Sequence, residues 1–226
     1  MSKQIRIALV GATGLIGESL IEMAVGRSEF RIIGIARREA VLPPGARMEM
    51  LIAEPSNWAD AIAAANADVL VCALGTTWRK SGKSEAAFRM VDQNLVLSCA
   101  EAARKIGVQR MIAISSVGAD MASKNLYLRV KGEVEQALAR VGFTRLDLIR
   151  PSLLRGPRRE MRPAELLGRT FSPLVDWALQ GEYRKFRSIE SDEVARAILA
   201  LTKEKIAGRF VHEHDSIMRA ARKLGD

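Results

Sequence analysis

The chain is poor in cysteine, in aromatic residues, in histidine and in long apolar runs. Cys72 and Cys99 are its only two cysteines in 226 residues, and they lack C-x-x-C spacing. Reduced thiols of a cytoplasmic protein are therefore expected. Cys72 falls in a strand pattern and Cys99 in a helical one, so no bridge between them is expected. Aromatic residues make up 5% of the chain against 48% hydrophobic overall; the core must be aliphatic and rich in alanine. No apolar run approaches the ~20 residues that span a bilayer, and MSKQIRIALV enters a first strand directly, leaving no room for a signal peptide. The expectation is a protein with no membrane segment. The two histidines, His212 and His214, alternate at a strand end with no further ligands at metal-site spacing, so no metal is expected.

Acidic residues are also in the minority. Lys plus Arg number 35 against 26 Asp plus Glu, a net charge of +9. Such a balance suits nucleic acid, anionic lipid or an anionic small molecule. The basic residues are scattered, however, except for Arg155, Arg158, Arg159 and Arg162. No helix-turn-helix, zinc module or aromatic RNA platform is readable. Nucleic acid is thus not the expected partner; a small-molecule substrate is, and anionic character would suit the charge.

What is present is concentrated first in Ile5–Gly17, IRIALVGATGLIG. Ile5, Ile7, Ala8, Leu9 and Val10 form a near-continuous apolar run, the mark of a central parallel strand covered on both faces. Gly11, Gly14 and Gly17 follow as G-x-x-G-x-x-G. The first suits a tight turn, the second a close approach of backbone N–H groups to a pyrophosphate, and the third close packing of helix on sheet. An amphipathic helix then begins, with Leu15, Ile16, Leu20, Ile21 and Ala24 on one face, and its N-terminus favours a phosphate. A glycine triplet alone is weak; between a strand and a helix it is a dinucleotide fingerprint.

Arg31–Ala36 reads as a second buried strand, and Arg37-Arg38 follow it. Dinucleotide folds that prefer NAD carry an acid here, about 20 positions beyond the glycines, to hold the ribose 2′-hydroxyl. Two arginines suit a 2′-phosphate instead, which points to NADP(H). Further strands are expected at Met48–Ile52, Asp68–Ala73, Arg110–Ile114, Arg145–Ile149 and Arg209–His212. Helices are expected at Trp58–Ala65, Glu85–Ile106, Leu126–Val141, Ser191–Leu201 (capped by Ser191) and Asp215–Leu224. The long helix repeats Phe88, Val91, Leu95, Cys99 and Ala102 at steps of three or four. Strands alternating with helices give an α/β fold with a doubly wound, mostly parallel sheet. Residues 1–226 read as one domain. Prolines and arginines from Pro157 onward mark 157–190 as a small irregular lobe, with two short helices, that would cover a substrate. Leu74-Gly75, at the end of the fourth strand, lie where open α/β sheets bind ligands. The loop Trp78–Lys83 is basic and flexible in composition, a cover for an anionic ligand or a solvated loop. Trp78, Phe88 and Met90 suit the lining of a pocket or, as the expected role, core filling, and Cys72 is read as packing.

Tyr127-Leu128-Arg129-Val130-Lys131 is the second informative stretch. Tyr127 and Lys131 lie four apart on one helix face. A nearby ammonium favours a phenolate, so a tyrosine so placed can exchange protons near neutral pH. The same lysine could hold ribose hydroxyls. Ser115 or Ser116, at the end of the preceding strand, can hydrogen-bond a substrate oxygen.

Gly11–Gly17, Ser115-Ser116, Tyr127 and Lys131 together resemble the extended or atypical short-chain dehydrogenases/reductases. More narrowly, CALGTTWRKSGKSEAAFRMVD at 72–92, SSVGAD at 115–120 and YLRVKGEVE at 127–135 resemble the Tat-interacting-protein-like group. The resemblance covers most of residues 4–156. It implies a Rossmann fold with NADP(H) held by Gly11, Thr13, Gly14, Leu15, Ile16, Arg37, Leu74, Gly75 and Lys131. It also implies backbone contacts near Pro151–Leu154, Pro151 and Leu153 among them, beside the nicotinamide. Of the two serines, Ser116 better matches the family's catalytic serine. Many relatives carry an aspartate at the end of the third strand near the adenine; Ile52-Ala53-Glu54 stands here instead, and that contact is not assigned. Two function classes follow: an NADP(H)-dependent oxidoreductase acting on a carbonyl or alcohol through Ser116, Tyr127 and Lys131, or a cofactor-binding sensor with little turnover.

Overall fold

The computed structural model describes residues 4–46, 48–156 and 180–225. Its strands are β1 (Ile5–Val10), β2 (Phe30–Ala36), β3 (Glu49–Ile52), β4 (Val69–Cys72), β5 (Arg110–Ile114), β6 (Arg145–Ile149), β7 (Leu154–Arg155), β8 (Ile189–Glu190) and β9 (Gly208–His212). Seven of them form one sheet in the order β3-β2-β1-β4-β5-β6-β9, while β7 and β8 form a separate pair. All six pairings in the large sheet are parallel. The chain winds outward from β1 in one direction and from β4 in the other. A crevice must open between the carboxyl ends of β1 and β4, where successive connections leave to opposite faces.

Both faces of the sheet are covered, as the unbroken apolar run of β1 requires. Alternate residues of a strand point to opposite sides. Ile7, Leu9, Val69, Val71 and Ile112 pack under α1 (Leu15–Met23), α6 (Ser191–Thr202) and α7 (His214–Lys223). Ala8, Val10, Leu70, Cys72, Met111 and Ala113 pack under α2 (Trp58–Ala65), α4 (Val96–Lys105) and α5 (Leu126–Val141). Ala61, Ala65, Ala100 and Ala103 let helices lie close to the second face, so alanine replaces aromatic bulk in the core.

Three expectations about elements need correction. The long helix is not uniform: α3 (Glu85–Arg89) passes into a π-helical stretch, Met90–Leu95, before α4 begins. The wider turn shifts the buried face, which runs Phe88, Asp92, Val96, Cys99 and Ala103 rather than through Val91, Leu95 and Ala102. Ser191 does not cap α6. Glu190 occupies the cap position without a side-chain bond, and Ser191, buried, pairs with the Ser19 hydroxyl of α1 at 2.8 Å. Of the three side chains assigned to core filling, only Phe88 fills core; Trp78 is 43% and Met90 59% exposed. The lobe expected at 157–190 lies largely outside the described residues, with Arg158, Arg159 and Arg162. Its end is described, as a 3-10 turn at Gly181–Phe186 and as β8 paired with β7.

Candidate functional site

The glycine turn is built as its spacing predicts. Gly11 takes φ +91° directly after β1, a conformation other residues rarely adopt. A Cβ there would stand 2.7 Å from the Ala73 backbone of the neighbouring strand end. At Gly17 a Cβ would fall 2.3 Å from the Gly11 carbonyl oxygen, so only glycine lets α1 fold back on the turn. Gly14 differs. Its backbone is extended (φ −92°, ψ 166°) and it is the N-cap of α1 without a side-chain hydrogen bond. A Cβ at Gly14 would meet nothing nearer than the Gly11 oxygen at 3.4 Å. Among the described residues, therefore, no chain atom crowds the Gly14 Cβ position, and no side chain of the N-cap residue takes the N–H groups of the first turn of α1. That cradle fits a pyrophosphate. Ile16 is buried in the core, so it can offer a ligand only its backbone.

The other residues expected at a cofactor site lie along the same carboxyl edge of the sheet. Arg37 and Arg38 are exposed immediately after β2, Thr13 in the turn and Leu15 at the start of α1 are half-buried, and Leu74 and Gly75 leave β4. Pro151 is buried and Leu153 exposed just beyond β6. The Pro151 carbonyl accepts from the Val117 N–H at 3.0 Å, which ties the segment after β6 to the serine loop after β5.

The residues expected to handle a proton stand at the next strand over. Helix α5 begins at Leu126 with Asn125 as a true cap, its side chain accepting from the Leu128 N–H at 3.3 Å. Tyr127, in the first turn, is 36% exposed, and the Lys131 Nζ lies 6.0 Å from its ring centroid. The serine loop leans on this helix at Gly132, where a Cβ would stand 2.5 Å from the Asp120 and Met121 backbone. The two serines part company. Ser115 is buried and donates its hydroxyl to Glu135. Glu135 also accepts from Arg150 Nε at 2.8 Å and Nη2 at 2.6 Å. Ser116 is half-buried, and among the described residues its hydroxyl donates to the neighbouring Val117 carbonyl, at 3.3 Å.

The sequence reading missed Asp92, Glu135 and Arg150. Asp92 is wholly buried, and its Oδ1 lies 2.8 Å from the Lys131 Nζ. Its Oδ2 accepts from the Thr76 N–H at 2.7 Å, so one carboxylate joins the loop after β4 to the lysine of α5. The π-helical stretch makes this possible by turning Asp92 onto the buried face; such insertions recur at functional sites. Burial pulls the Lys131 pKa down, but Asp92 and then Tyr127 outweigh it and hold it above the ordinary lysine value. Cys72 lies in the same electrostatic neighbourhood, and burial pushes its thiol up to about 11, which suits packing and not nucleophilic attack. A charged residue four positions after Phe88 on an otherwise apolar face was the available signal for Asp92.

A buried charge that loses its partner is costly. Asp92→Leu should lower the unfolding free energy by about 3–5 kcal/mol, whereas Asp92→Leu with Lys131→Met removes both charges and should recover a large part of it. Urea unfolding of the three proteins checks this. An equal loss in the double variant would mean that Asp92 contributes packing and not charge compensation.

The remaining candidates are engaged elsewhere. His212 Nε2 lies 2.8 Å from Asp147 and its Nδ1 2.9 Å from the Ser216 hydroxyl, while Asp147 takes a bidentate Arg145. Among the described residues no group of three or more His, Cys, Asp or Glu could hold a metal. The loop expected to be flexible is closed on itself: the Lys83 N–H donates to the Trp78 carbonyl at 2.9 Å and the Ser81 N–H to Thr77 at 2.9 Å.

Comparison with known proteins agrees with this geometry. A family profile described as NAD(P)H-binding matches residues 11–205. The mitochondrial protein fmp52 of Emericella nidulans is 35% identical over 173 residues, covering 74% of each chain. Protein HTATIP2 of Rattus norvegicus is 37% identical over 171 residues, 73% of this chain and 69% of the relative. Both bear out the resemblance read from the motifs. In structure, a putative NAD-dependent epimerase/dehydratase from Bacillus halodurans superposes with a TM-score of 0.69 at 20% identity, over 97% of this chain and 99% of that one. The cytoplasmic expectation is corrected by these comparisons, because the fmp52 relatives are mitochondrial by name. That expectation rested on unpaired cysteines and a short N-terminus, and neither feature distinguishes one reducing compartment from another. With the glycine turn, the parallel sheet and these relatives in agreement, the chain belongs to the NAD(P)H-binding family of Rossmann-fold proteins.

Proposed function

We propose that this protein is an NADP(H)-dependent oxidoreductase that interconverts a carbonyl and an alcohol at Ser116, Tyr127 and Lys131. The observation that carries the reading is the pairing of Tyr127 and Lys131. One is a partly exposed tyrosine and the other a buried, ion-paired lysine, and they share a helix face beside the loop that holds Ser116. When bound, the nicotinamide supplies the hydride. Tyr127 protonates the substrate oxygen as charge develops on it. Lys131 stays an ammonium, because Asp92 anchors it, and it stands 6.0 Å from the Tyr127 ring. Ser116 orients the oxygen. Among the described residues its hydroxyl makes a long contact to its own chain neighbour, whereas that of Ser115 is committed to Glu135. Glu135 and Arg150 keep the strand ends in place by bracing Ser115. A screen of aldehydes and ketones that follows NADPH oxidation tests the reading. Turnover with none of them, despite cofactor binding, would favour a sensor.

The cofactor preference has its own test. Arg37 and Arg38 stand exposed at the end of β2, where a guanidinium can pair with a 2′-phosphate. Arg37→Ala should weaken NADPH binding by about 1.5–3 kcal/mol, tenfold or more in Kd, and leave NADH unchanged. Calorimetric titration of both cofactors reads this. Equal affinities in the unaltered protein would contradict the assignment.

A further inference from the structure

The proposed proton donor is the inner end of a row of rings. Tyr127 packs on Phe88 with ring centroids 5.8 Å apart at 48°, and Phe88 packs edge-on against Trp78 at 6.5 Å and 68°. Phe88 is buried at 1% exposure, while Trp78 and Tyr127 are 43% and 36% exposed. The middle ring is therefore core, and the two rings that pack on it both reach solvent. Single exposed apolar side chains are common on protein surfaces. An exposed indole one ring away from the donor hydroxyl, in a chain with three tryptophans and two tyrosines, is a different matter. The backbone that carries the indole is also tied down. The Trp78 carbonyl accepts from the Lys83 N–H at 2.9 Å and from the Ser81 hydroxyl at 2.9 Å, so the turn that carries the ring is closed by its own hydrogen bonds.

Resting on the oxidoreductase reading above, we infer that the substrate is an aldehyde or ketone bearing a flat aromatic ring, which packs against Trp78 while its carbonyl meets Tyr127. Binding sites combine apolar and aromatic walls with few polar groups, and here the wall and the polar group are joined through Phe88. Rings prefer offset-stacked or edge-to-face partners, and such pairs add to simple area burial. A saturated substituent of the same size would cover the indole without that added attraction.

The test is calorimetric titration of the full chain, saturated with NADP⁺ so that no aldehyde is reduced, with naphthaldehyde and with its decahydro counterpart. Naphthaldehyde should bind about two- to tenfold tighter than the saturated aldehyde. Trp78→Leu should abolish the difference by weakening naphthaldehyde alone, and Trp78→Phe should keep most of it. Equal affinity for the two aldehydes, binding of neither, or a preference that survives Trp78→Leu overturns the inference. Turnover with NADPH is read separately. Trp78-dependent binding, with no turnover of any aldehyde or ketone in the screen, supports the ring site and removes the oxidoreductase reading; turnover without a ring preference does the reverse.

Discussion

Tyr127→Phe is expected to lower turnover by about 10²–10⁴ while NADPH binds as before. The change removes one hydroxyl and keeps the ring that packs on Phe88. Tyr127 is partly exposed, so its hydroxyl does not support the core and the fold should be unaffected. The loss should appear in kcat, because the proton is needed only as charge develops on the substrate oxygen. Lys131→Ala should lower turnover as well and also weaken the cofactor, since the same side chain is expected to hold the ribose. The two changes should not add when combined, because a phenolate and its ammonium act as a unit. Steady-state kinetics of the single and double variants, beside cofactor titrations, decide it. Unchanged turnover in Tyr127→Phe would remove this residue from the chemistry.

Gly14→Val should abolish cofactor binding in a protein that still folds. The Gly14 backbone is extended, and a Cβ there makes only ordinary contacts with the chain itself, the Gly11 oxygen at 3.4 Å and the Ala73 oxygen at 3.9 Å. Valine can adopt that conformation, at a cost of about 1 kcal/mol for a poorer helix cap. Its methyl groups would then occupy the space in front of the α1 N-terminus, where a pyrophosphate has to sit. Gly17→Ala makes the informative contrast. Its Cβ would lie 2.3 Å from the Gly11 oxygen and 2.8 Å from the Ala12 Cα, so the backbone itself must move. That substitution should cost stability, by about 1–3 kcal/mol or more, and harm binding only as a consequence. Thermal unfolding and NADPH titration of both variants separate a blocked site from a damaged turn. Normal NADPH affinity in folded Gly14→Val would place the cofactor elsewhere.

Much of the fold was readable because its strands are buried on both faces. A run such as Ile7–Val10 can then be nothing but apolar, and the glycine spacing after it is imposed by contacts within one short turn. The helices Trp58–Ala65 and Leu126–Val141 and the strands Arg110–Ile114 and Arg145–Ile149 have the bounds their patterns predict. Asp92 was missed for a physical reason. A helical repeat assumes one period throughout, and the π-helical stretch at Met90–Leu95 changes the period where the carboxylate must turn inward. Ser191 was misread because a serine at a helix start is usually a cap; here it is drawn instead into a buried hydrogen bond with Ser19, distant in sequence. The choice between Ser115 and Ser116 could not be read from their adjacent positions. The family resemblance favours Ser116, and the structure adds that Glu135, 20 residues away on α5, takes the hydroxyl of Ser115. The exposed Trp78 was hidden by the usual preference of large apolar residues for the core.

The most direct test of a Ser116–Tyr127–Lys131 oxidoreductase is isotope transfer. The protein is incubated with NADPH deuterated at the transferable nicotinamide position and a panel of aromatic aldehydes and ketones, and the alcohols formed are analysed by mass spectrometry. The account predicts deuterium on the former carbonyl carbon of at least one product, strongly diminished in Tyr127→Phe. Tight NADPH binding with no deuterium in any product, or transfer that persists undiminished in Tyr127→Phe, would contradict it.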